Sequence, residues 1–223
     1  MFGWEYLDTG PDFGHYHMAQ LRGLNAAGIG PMQPGQEMPS AWTIYFSSDD
    51  AAADVSRVQG LGGQIFSDVM EVGDSGKMAI CADPTGAVFG LWQANQHIGM
   101  GIEAEAGAMS WSEVNTRDSA AALAFYTALF NLSSEKLEDR DYFILQRGGE
   151  HVCGILQMDE NWEGIPPHWM GYFGVDDTDA AVERATAAGG SLRVPAFDTP
   201  YGRIAVLGDP FGAVFIVVDV TTE

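Results

Sequence analysis

The heptapeptide Asp209-Pro210-Phe211-Gly212-Ala213-Val214-Phe215 occurs a second time, with one change, as Asp83-Pro84-Thr85-Gly86-Ala87-Val88-Phe89. The copies lie 126 residues apart (209 − 83). Each ends a short apolar run and opens another: Met78 to Cys81 before Val88 to Trp92, and Ile204 to Leu207 before Val214 to Val218. Proline at the second position and glycine at the fourth fit a type I turn between two strands. The motif is therefore a hairpin corner with a structural role, and its value lies in indexing a long internal repeat.

Working outward, Trp42 matches Trp169, Asp50 matches Asp177 and Gly63 matches Gly190, each 127 apart. Tyr16 matches Tyr142 and Gly28 matches Gly154 at 126. Between these markers the pattern alternates short strands with capped helices. Asp50, Asp118 and Asp177 are N-cap residues for helices over Ala51–Leu61, Ser119–Phe130 and Asp177–Ala188. Gly62-Gly63 and Gly189-Gly190 stop the first and third. Strands are predicted over Trp4–Leu7, His15–Leu21, Leu24–Ile29, Ser40–Ser47, Gln64–Val69, Met78–Ala82, Val88–Trp92 and Ala108–Thr116. More follow over Leu132–Leu137, Tyr142–Arg147, Val152–Met158, His168–Val175, Ser191–Val194, Arg203–Leu207 and Val214–Val220. Pro31–Pro39 and Gly164–Pro167 read as connectors. The order is strand, helix, three strands, used four times in two pairs. In the first half, nothing corresponds to the strand and helix of Ala104–Phe130.

A chain of 223 residues, 46% hydrophobic and 11% aromatic, can bury a core in each half. The net charge of −21 argues against nucleic acid and anionic membrane as partners, because phosphate binding needs clustered lysine and arginine. No apolar run approaches a membrane span, and no basic leader with an apolar stretch opens the sequence. Cys81 and Cys153 fall in different halves inside strand-like runs, so buried free thiols in a reducing cytoplasm are expected.

The arrangement resembles the vicinal oxygen chelate superfamily, which includes glyoxalase I, extradiol dioxygenases and bleomycin-resistance proteins. The likeness rests on Phe2-Gly3-Trp4, Gly73 to Met78, Asp83 to Asn95, His97-Ile98-Gly99, Trp111-Ser112-Glu113 and Pro167-His168-Trp169. It implies an α+β fold. Repeated βαβββ units form two cup-shaped mixed sheets with helices on their outer faces, the first unit lacking its first strand and helix. That lack reads as an N-terminal truncation, or as a sheet completed by a partner subunit. The expected domains are 1–96 and 108–223, joined by a linker over 97–107.

The resemblance also implies where chemistry sits. In this superfamily a metal is held from the first and last strand of each unit by His, Gln or Glu. Spacing carries those positions onto Trp111, Met170, Ile216 and Cys153 in the second half, and onto Thr43, Gly90 and Ala27 in the first. None is a usual ligand set, so no metal and no cofactor are expected. The histidines show no paired metal spacing; His15 and His17 are read as sharing a surface strand.

Strand alternation puts Trp111, Glu113 and Asn115 on the cup face, with His168, Met170, Tyr172 and Ile216. Tyr45 and Trp92 line the first cup. Glu113 is the candidate acid/base, because a carboxylate in an apolar cup has its pKa raised by desolvation. The structural alternative pairs it with Arg117, Arg203 or a tyrosine hydroxyl. Trp111 would stack on a planar ligand or fill the metal position. Lys77 and Arg203 precede the two corners at matching places, either facing an anionic ligand or as solvated charges.

Four functions compete, the last a purely interaction-based role as antigen or scaffold. The first is a small-molecule binding protein with metal-free cups for a planar or amphipathic ligand. The second is a metal-independent lyase, isomerase or hydroxylase-like enzyme using Glu113. The third is a metal-dependent glyoxalase or dioxygenase. A homodimer is the expected assembly.

Overall fold

The computed structural model describes residues 1–32 and 39–220, so most of the Pro31–Pro39 connector lies outside the described residues. The chain divides into two compact units, and each draws on both halves of the sequence. Unit 1 contains Met1–Trp42, Met100–Ser110 and Gly171–Glu223; unit 2 contains Thr43–Gly99 and Trp111–Met170. The fold is α+β with mixed sheets built from βαβββ repeats.

Unit 2 holds the second repeat whole: β4 (Tyr45–Ser47), α1 (Ala51–Gly60), β5 (Gln64–Val72), β6 (Gly76–Ala82) and β7 (Val88–Ala94). Its strand order is β4-β7-β6-β5, with β4 parallel to β7 and the other pairs antiparallel. The third repeat follows the same plan: β8 (Met109–Thr116), α2 (Ser119–Phe130), β9 (Ser133–Lys136), β10 (Tyr142–Arg147) and β11 (Glu150–Gln157). Here β8 runs parallel to β11, and β10 lies between β11 and β9. A first strand parallel to the last needs a crossover, and the helix supplies it.

Unit 1 holds a three-stranded antiparallel sheet of β1 (Glu5–Asp8), β2 (His17–Leu21) and β3 (Leu24–Ile29). It also holds the fourth repeat, which starts in β12 (His168–Val175). This continues through α3 (Thr178–Ala187), β13 (Ser191–Thr199), β14 (Gly202–Gly208) and β15 (Val214–Asp219). Strands β12 and β15 are parallel, and β14 lies between β15 and β13.

The local chemistry follows the sequence. The backbone N–H groups of Ala53, Ala121 and Ala180 donate to the carboxylates of Asp50, Asp118 and Asp177, satisfying amides left free at each helix start. Gly62 and Gly189, just past α1 and α3, take φ of 85° and 90°, which a side chain disfavours. The sequence Ser119–Phe130 is apolar almost all round, and α2 is correspondingly buried through Ala122, Phe125, Tyr126, Leu129 and Phe130.

The duplicated corner is the same backbone device twice. Asp83 Oδ1 accepts from the N–H groups of Thr85 and Ala87 at 2.8 and 3.1 Å. Asp209 Oδ1 accepts from Phe211 and Ala213 at 2.8 and 2.9 Å. Gly86 and Gly212 close the two turns at φ of 101° and 95°. The environments differ. Asp83 is fully buried and its other oxygen accepts from the Tyr126 hydroxyl at 2.9 Å. That hydroxyl in turn accepts from Trp169 Nε1 at 2.8 Å.

The core of unit 2 gathers Val58, Phe89, Val114, Phe125, Leu145 and Ile155 around α2. Burial of each large apolar side chain contributes roughly 1.5–3 kcal/mol. Unit 1 has its own core, with Phe173, Ala181, Leu207, Phe215 and Val217 packed beneath α3.

Candidate functional site

Val114 of β8 belongs to the α2-side core, so Trp111, Glu113 and Asn115 occupy the opposite face. On that face Trp111 Nε1 donates to the Tyr142 hydroxyl at 2.8 Å, and the same hydroxyl donates to the Glu113 carboxylate. Glu113 is 5% exposed. Burial, and then the neighbouring Glu113 charge, pushes the Tyr142 phenol far above its ordinary range, so it stays protonated and donating. The tyrosine-hydroxyl partner anticipated for Glu113 is therefore Tyr142.

Asn115 lies two residues further along and is 1% exposed. Its amide nitrogen sits 3.4 Å from His168 Nε2. The other ring nitrogen of His168 lies 2.8 Å from the Pro166 carbonyl, an acceptor, so Nδ1 carries the proton and Nε2 accepts. Asn115 Oδ1 is buried with no hydrogen-bond partner among the described residues. Met170 is two residues past His168 on the same strand and is buried, while Trp169 between them points into the core with Tyr126. Unit 2 thus brings Trp111, Glu113, Asn115, His168 and Met170 onto faces turned away from the α2 core.

The remaining expected residues divide between the units. Tyr172 pairs with Ile216 across β12 and β15 in unit 1, with Phe173 and Val217 turned to the α3 side. Tyr45 stands opposite Gly90, and Trp92 opposite Ser47, on β4 and β7 of unit 2. Trp92 Nε1 donates to the His97 carbonyl at 2.8 Å and its ring packs edge-on against His97.

The sheet register corrects one carried-over position. In the second and fourth repeats the last-strand positions Gly90 and Ile216 pair with Tyr45 and Tyr172, each two residues beyond the first-strand positions Thr43 and Met170. Two beyond Trp111 is Glu113, and it pairs with Gly154, not Cys153. Cys153 points into the α2-side core, where burial raises its thiol to about 12. A one-residue slip in a strand exchanges the faces. By the 126 spacing the first-repeat counterpart is then Gly28 in place of Ala27.

Three of the four last-strand positions are therefore glycines, and each lies under a tyrosine. A Cβ on Gly154 would fall 1.8 Å from the Tyr142 hydroxyl, one on Gly28 1.9 Å from the Tyr16 hydroxyl, and one on Gly90 2.2 Å from the Tyr45 ring. The repeated tyrosine–glycine spacing visible in the sequence is this steric pairing. Tyr142 is the member of this hydrogen-bonded cluster that the sequence reading does not name, and its match with Tyr16 is the available signal.

Other expectations resolve simply. His15 sits in a turn at φ 58°, bonded to Asp8 at 2.9 Å, so it does not share a strand face with His17. Arg203 pairs with Asp179 and Asp198, and Lys77 with Glu71, all on exposed surface. Arg117 donates to the carbonyls of Trp162 and Ile165.

The model of the Glyoxalase/Bleomycin resistance protein/Dioxygenase superfamily matches residues 108–217. A Mycobacterium tuberculosis protein with a provisional glyoxylase name, CFP32, is 42% identical over 98% of this chain and 86% of its own length. The chain belongs to this superfamily. The anthracycline biosynthesis protein DnrV of Streptomyces peucetius is 37% identical over 85% of the chain and 70% of its own length. The Mn(II)-bound glyoxalase of Novosphingobium aromaticivorans shares the fold, with a TM-score of 0.66 at 15% identity over all of this chain and 76% of that one.

A divalent metal of the kind the superfamily implies does not fit the residues at the corresponding positions. The Trp111 indole nitrogen donates its hydrogen to Tyr142 and has no free lone pair. Ile216 offers no donor. Gly154 and Gly90 have no side chain, and tyrosines occupy the space one would need. Among the described residues, no group of three or more His, Cys, Asp or Glu side chains is placed to hold a metal ion.

Proposed function

We propose that this superfamily member binds a planar, polar-edged small molecule against β8 without a metal. The reading is carried by Asn115: a fully buried amide oxygen with no partner costs roughly 1–3 kcal/mol, and an N–H or O–H of a ligand would recover it. Around it, Trp111 offers a flat ring and Met170 an adaptable apolar surface, while His168 Nε2 holds the Asn115 amide group in place. Glu113, with its proton-bearing Tyr142 neighbour, fixes polarity at the far end. The similarity to a protein named for anthracycline biosynthesis supports a polycyclic aromatic ligand bearing hydroxyl and carbonyl groups.

The two cysteines are buried and free, which supports the reducing cytoplasm as its compartment. No helix among the described residues is long and apolar enough to cross a membrane. We propose that the two paired-repeat domains of the sequence span 1–96 and 108–223 with a linker over 97–107, and assign a homodimer as the working assembly.

The test is a titration with hydroxylated polycyclic aromatics, read by quenching of tryptophan fluorescence. Binding should weaken about tenfold or more in Asn115→Leu and in Trp111→Ala. Equal affinity in both variants and the parent would remove the site from β8. The second reading, an enzyme using Glu113, rests on the Glu113–Tyr142 hydrogen bond. Glu113→Gln retaining binding while abolishing turnover of a bound compound would favour it.

A further inference from the structure

The Asn115 amide can turn either end toward a ligand, and the chain around it selects one. The segment joining β11 to β12, residues 158–167, is tied to the end of β8. The Met158 N–H donates to the Thr116 carbonyl at 2.7 Å, and Gln157 Nε2 donates to the Arg117 carbonyl at 2.8 Å. In return Arg117 Nη2 donates to the carbonyls of Trp162 and Ile165, the second at 3.2 Å. The Ile165 N–H closes a turn on the Trp162 carbonyl at 3.1 Å. Two prolines follow. Pro166 has its φ fixed by its own ring and its ψ restricted by Pro167, so the Pro166 carbonyl has little freedom to turn.

That carbonyl lies 2.8 Å from His168 Nδ1. A carbonyl only accepts, so the proton of the neutral imidazole sits on Nδ1 and Nε2 keeps a lone pair. The Trp162 ring stands 6.2 Å from the imidazole at 38° and hinders it from turning over. The lone pair on Nε2 demands a donor, and Asn115 Nδ2 supplies it at 3.4 Å. Asn115 Oδ1 is thereby turned the other way, where it is buried without a partner among the described residues. Reversing the amide would set Oδ1 against the Nε2 lone pair, two acceptors face to face on a side chain only 1% exposed.

We infer that this relay is a specificity device. The Pro166 carbonyl and His168 fix the Asn115 amide with its oxygen toward the ligand, so the site takes a hydroxyl or N–H there and rejects the same molecule carrying a methyl ether. The inference rests on the binding reading above for there being a ligand at β8, and adds which of two nearly identical ligands is accepted. A site built to accept a hydrogen bond discriminates against the analogue that lacks the donor, because its buried acceptor then stays unpaired. His168 and Arg117 are positioning residues: they act through Asn115.

The probes are β-hydroxyanthraquinone and its O-methyl ether, which share a ring system and differ in the donor. Each is titrated into the full chain and followed by quenching of tryptophan fluorescence. The hydroxyl compound should bind about tenfold or more tightly than the ether. In His168→Gln, whose amide can pair with Asn115 in either orientation, that ratio should fall to about threefold or less, with the ether bound no more weakly than by the parent. Arg117→Ala frees the segment without touching His168 and should lower the ratio by about threefold. A merely structural role for His168 would weaken both probes alike. A ratio unchanged in His168→Gln, or equal affinity of the parent for the two probes, overturns the proposal. A long-range proton–nitrogen spectrum of the labelled parent reads the His168 tautomer without any ligand. The Nδ1–H form is expected, and the Nε2–H form overturns the proposal. If neither probe binds, the ligand class proposed above fails, and the tautomer alone decides for or against the relay.

Discussion

Replacing Gly154 with alanine sets two opposed effects against each other, and the structure fixes the sign. Gly154 lies in β11 without a positive φ, and at such a position alanine ordinarily stabilises by about 0.4–1 kcal/mol through the unfolded chain. Here the new methyl would fall 1.8 Å from the Tyr142 hydroxyl and 2.4 Å from the carbon bearing it. No real contact is that short, so the ring must move. Moving it breaks the Trp111 and Glu113 hydrogen bonds, the second leaving a buried carboxyl short of a donor, at roughly 1 and 1–3 kcal/mol. The strain of overpacking adds about 1–3 kcal/mol. The net expectation is a destabilisation of about 3–5 kcal/mol, read as a lower urea midpoint with an unchanged slope. Removing the ring as well, in Tyr142→Ala with Gly154→Ala, should recover part of that loss, giving a coupling of about 1–3 kcal/mol in the double-mutant cycle. Gly60→Ala, at the end of α1 with open space around it, serves as the control and should stabilise slightly. A Gly154→Ala protein as stable as the control would refute the steric pairing, and with it the account of why a glycine stands at the last-strand position.

The corners give a second contrast. Asp83→Ala leaves the Tyr126 hydroxyl and two backbone amides short of an acceptor in a dry core, so it should cost about 3–5 kcal/mol. Asp209→Ala, losing two half-exposed turn bonds, should cost about 1–2 kcal/mol, both read by urea unfolding. Tyr126→Phe should destabilise by about 2–4 kcal/mol, since it orphans Trp169 Nε1 and Asp83 together. Alkaline pH should unfold the protein. The thiols of Cys81 and Cys153 are raised from 9.0 to about 11 and about 12, so the stability they contribute is whole below pH 9 and declines as pH rises beyond it. Each buried thiol contributes a slope of up to about 1.4 kcal/mol per pH unit there. A flat urea midpoint between pH 8 and 11 would contradict this. The same burial predicts that Ellman's reagent labels both cysteines only as fast as the chain opens.

Much of the fold was legible because its signals are local. The caps Asp50, Asp118 and Asp177, the stops at Gly62 and Gly189, and the duplicated corner each act within a few residues, and all sit where the pattern put them. Alternation along β8 and β12 also held: Val114 and Trp169 face the core, and Trp111 and His168 do not. The misreadings arose where partners are distant. Spacing points to Cys153 where the position is Gly154, because only the pairing of β8 with β11 fixes that register. Tyr142 gains its role from Trp111 and Glu113, some 30 residues away. β4 is shorter than the run Ser40–Ser47, while β5 and β13 extend past their expected ends through bulges at Ser67 and Val194. The division into compact units was not visible either, since the repeat arithmetic reports ancestry of segments and carries no information on which of them pack together.

That division has a consequence for synthesis. Residues Thr43–Met170 contain every part of unit 2, so its core can form while the chain is still emerging from the ribosome. Phe2 and Trp4 must wait for Phe173 and Phe215, the partners against which they pack. Aromatic residues that leave the ribosome well before α2 are thus covered only after its core has closed.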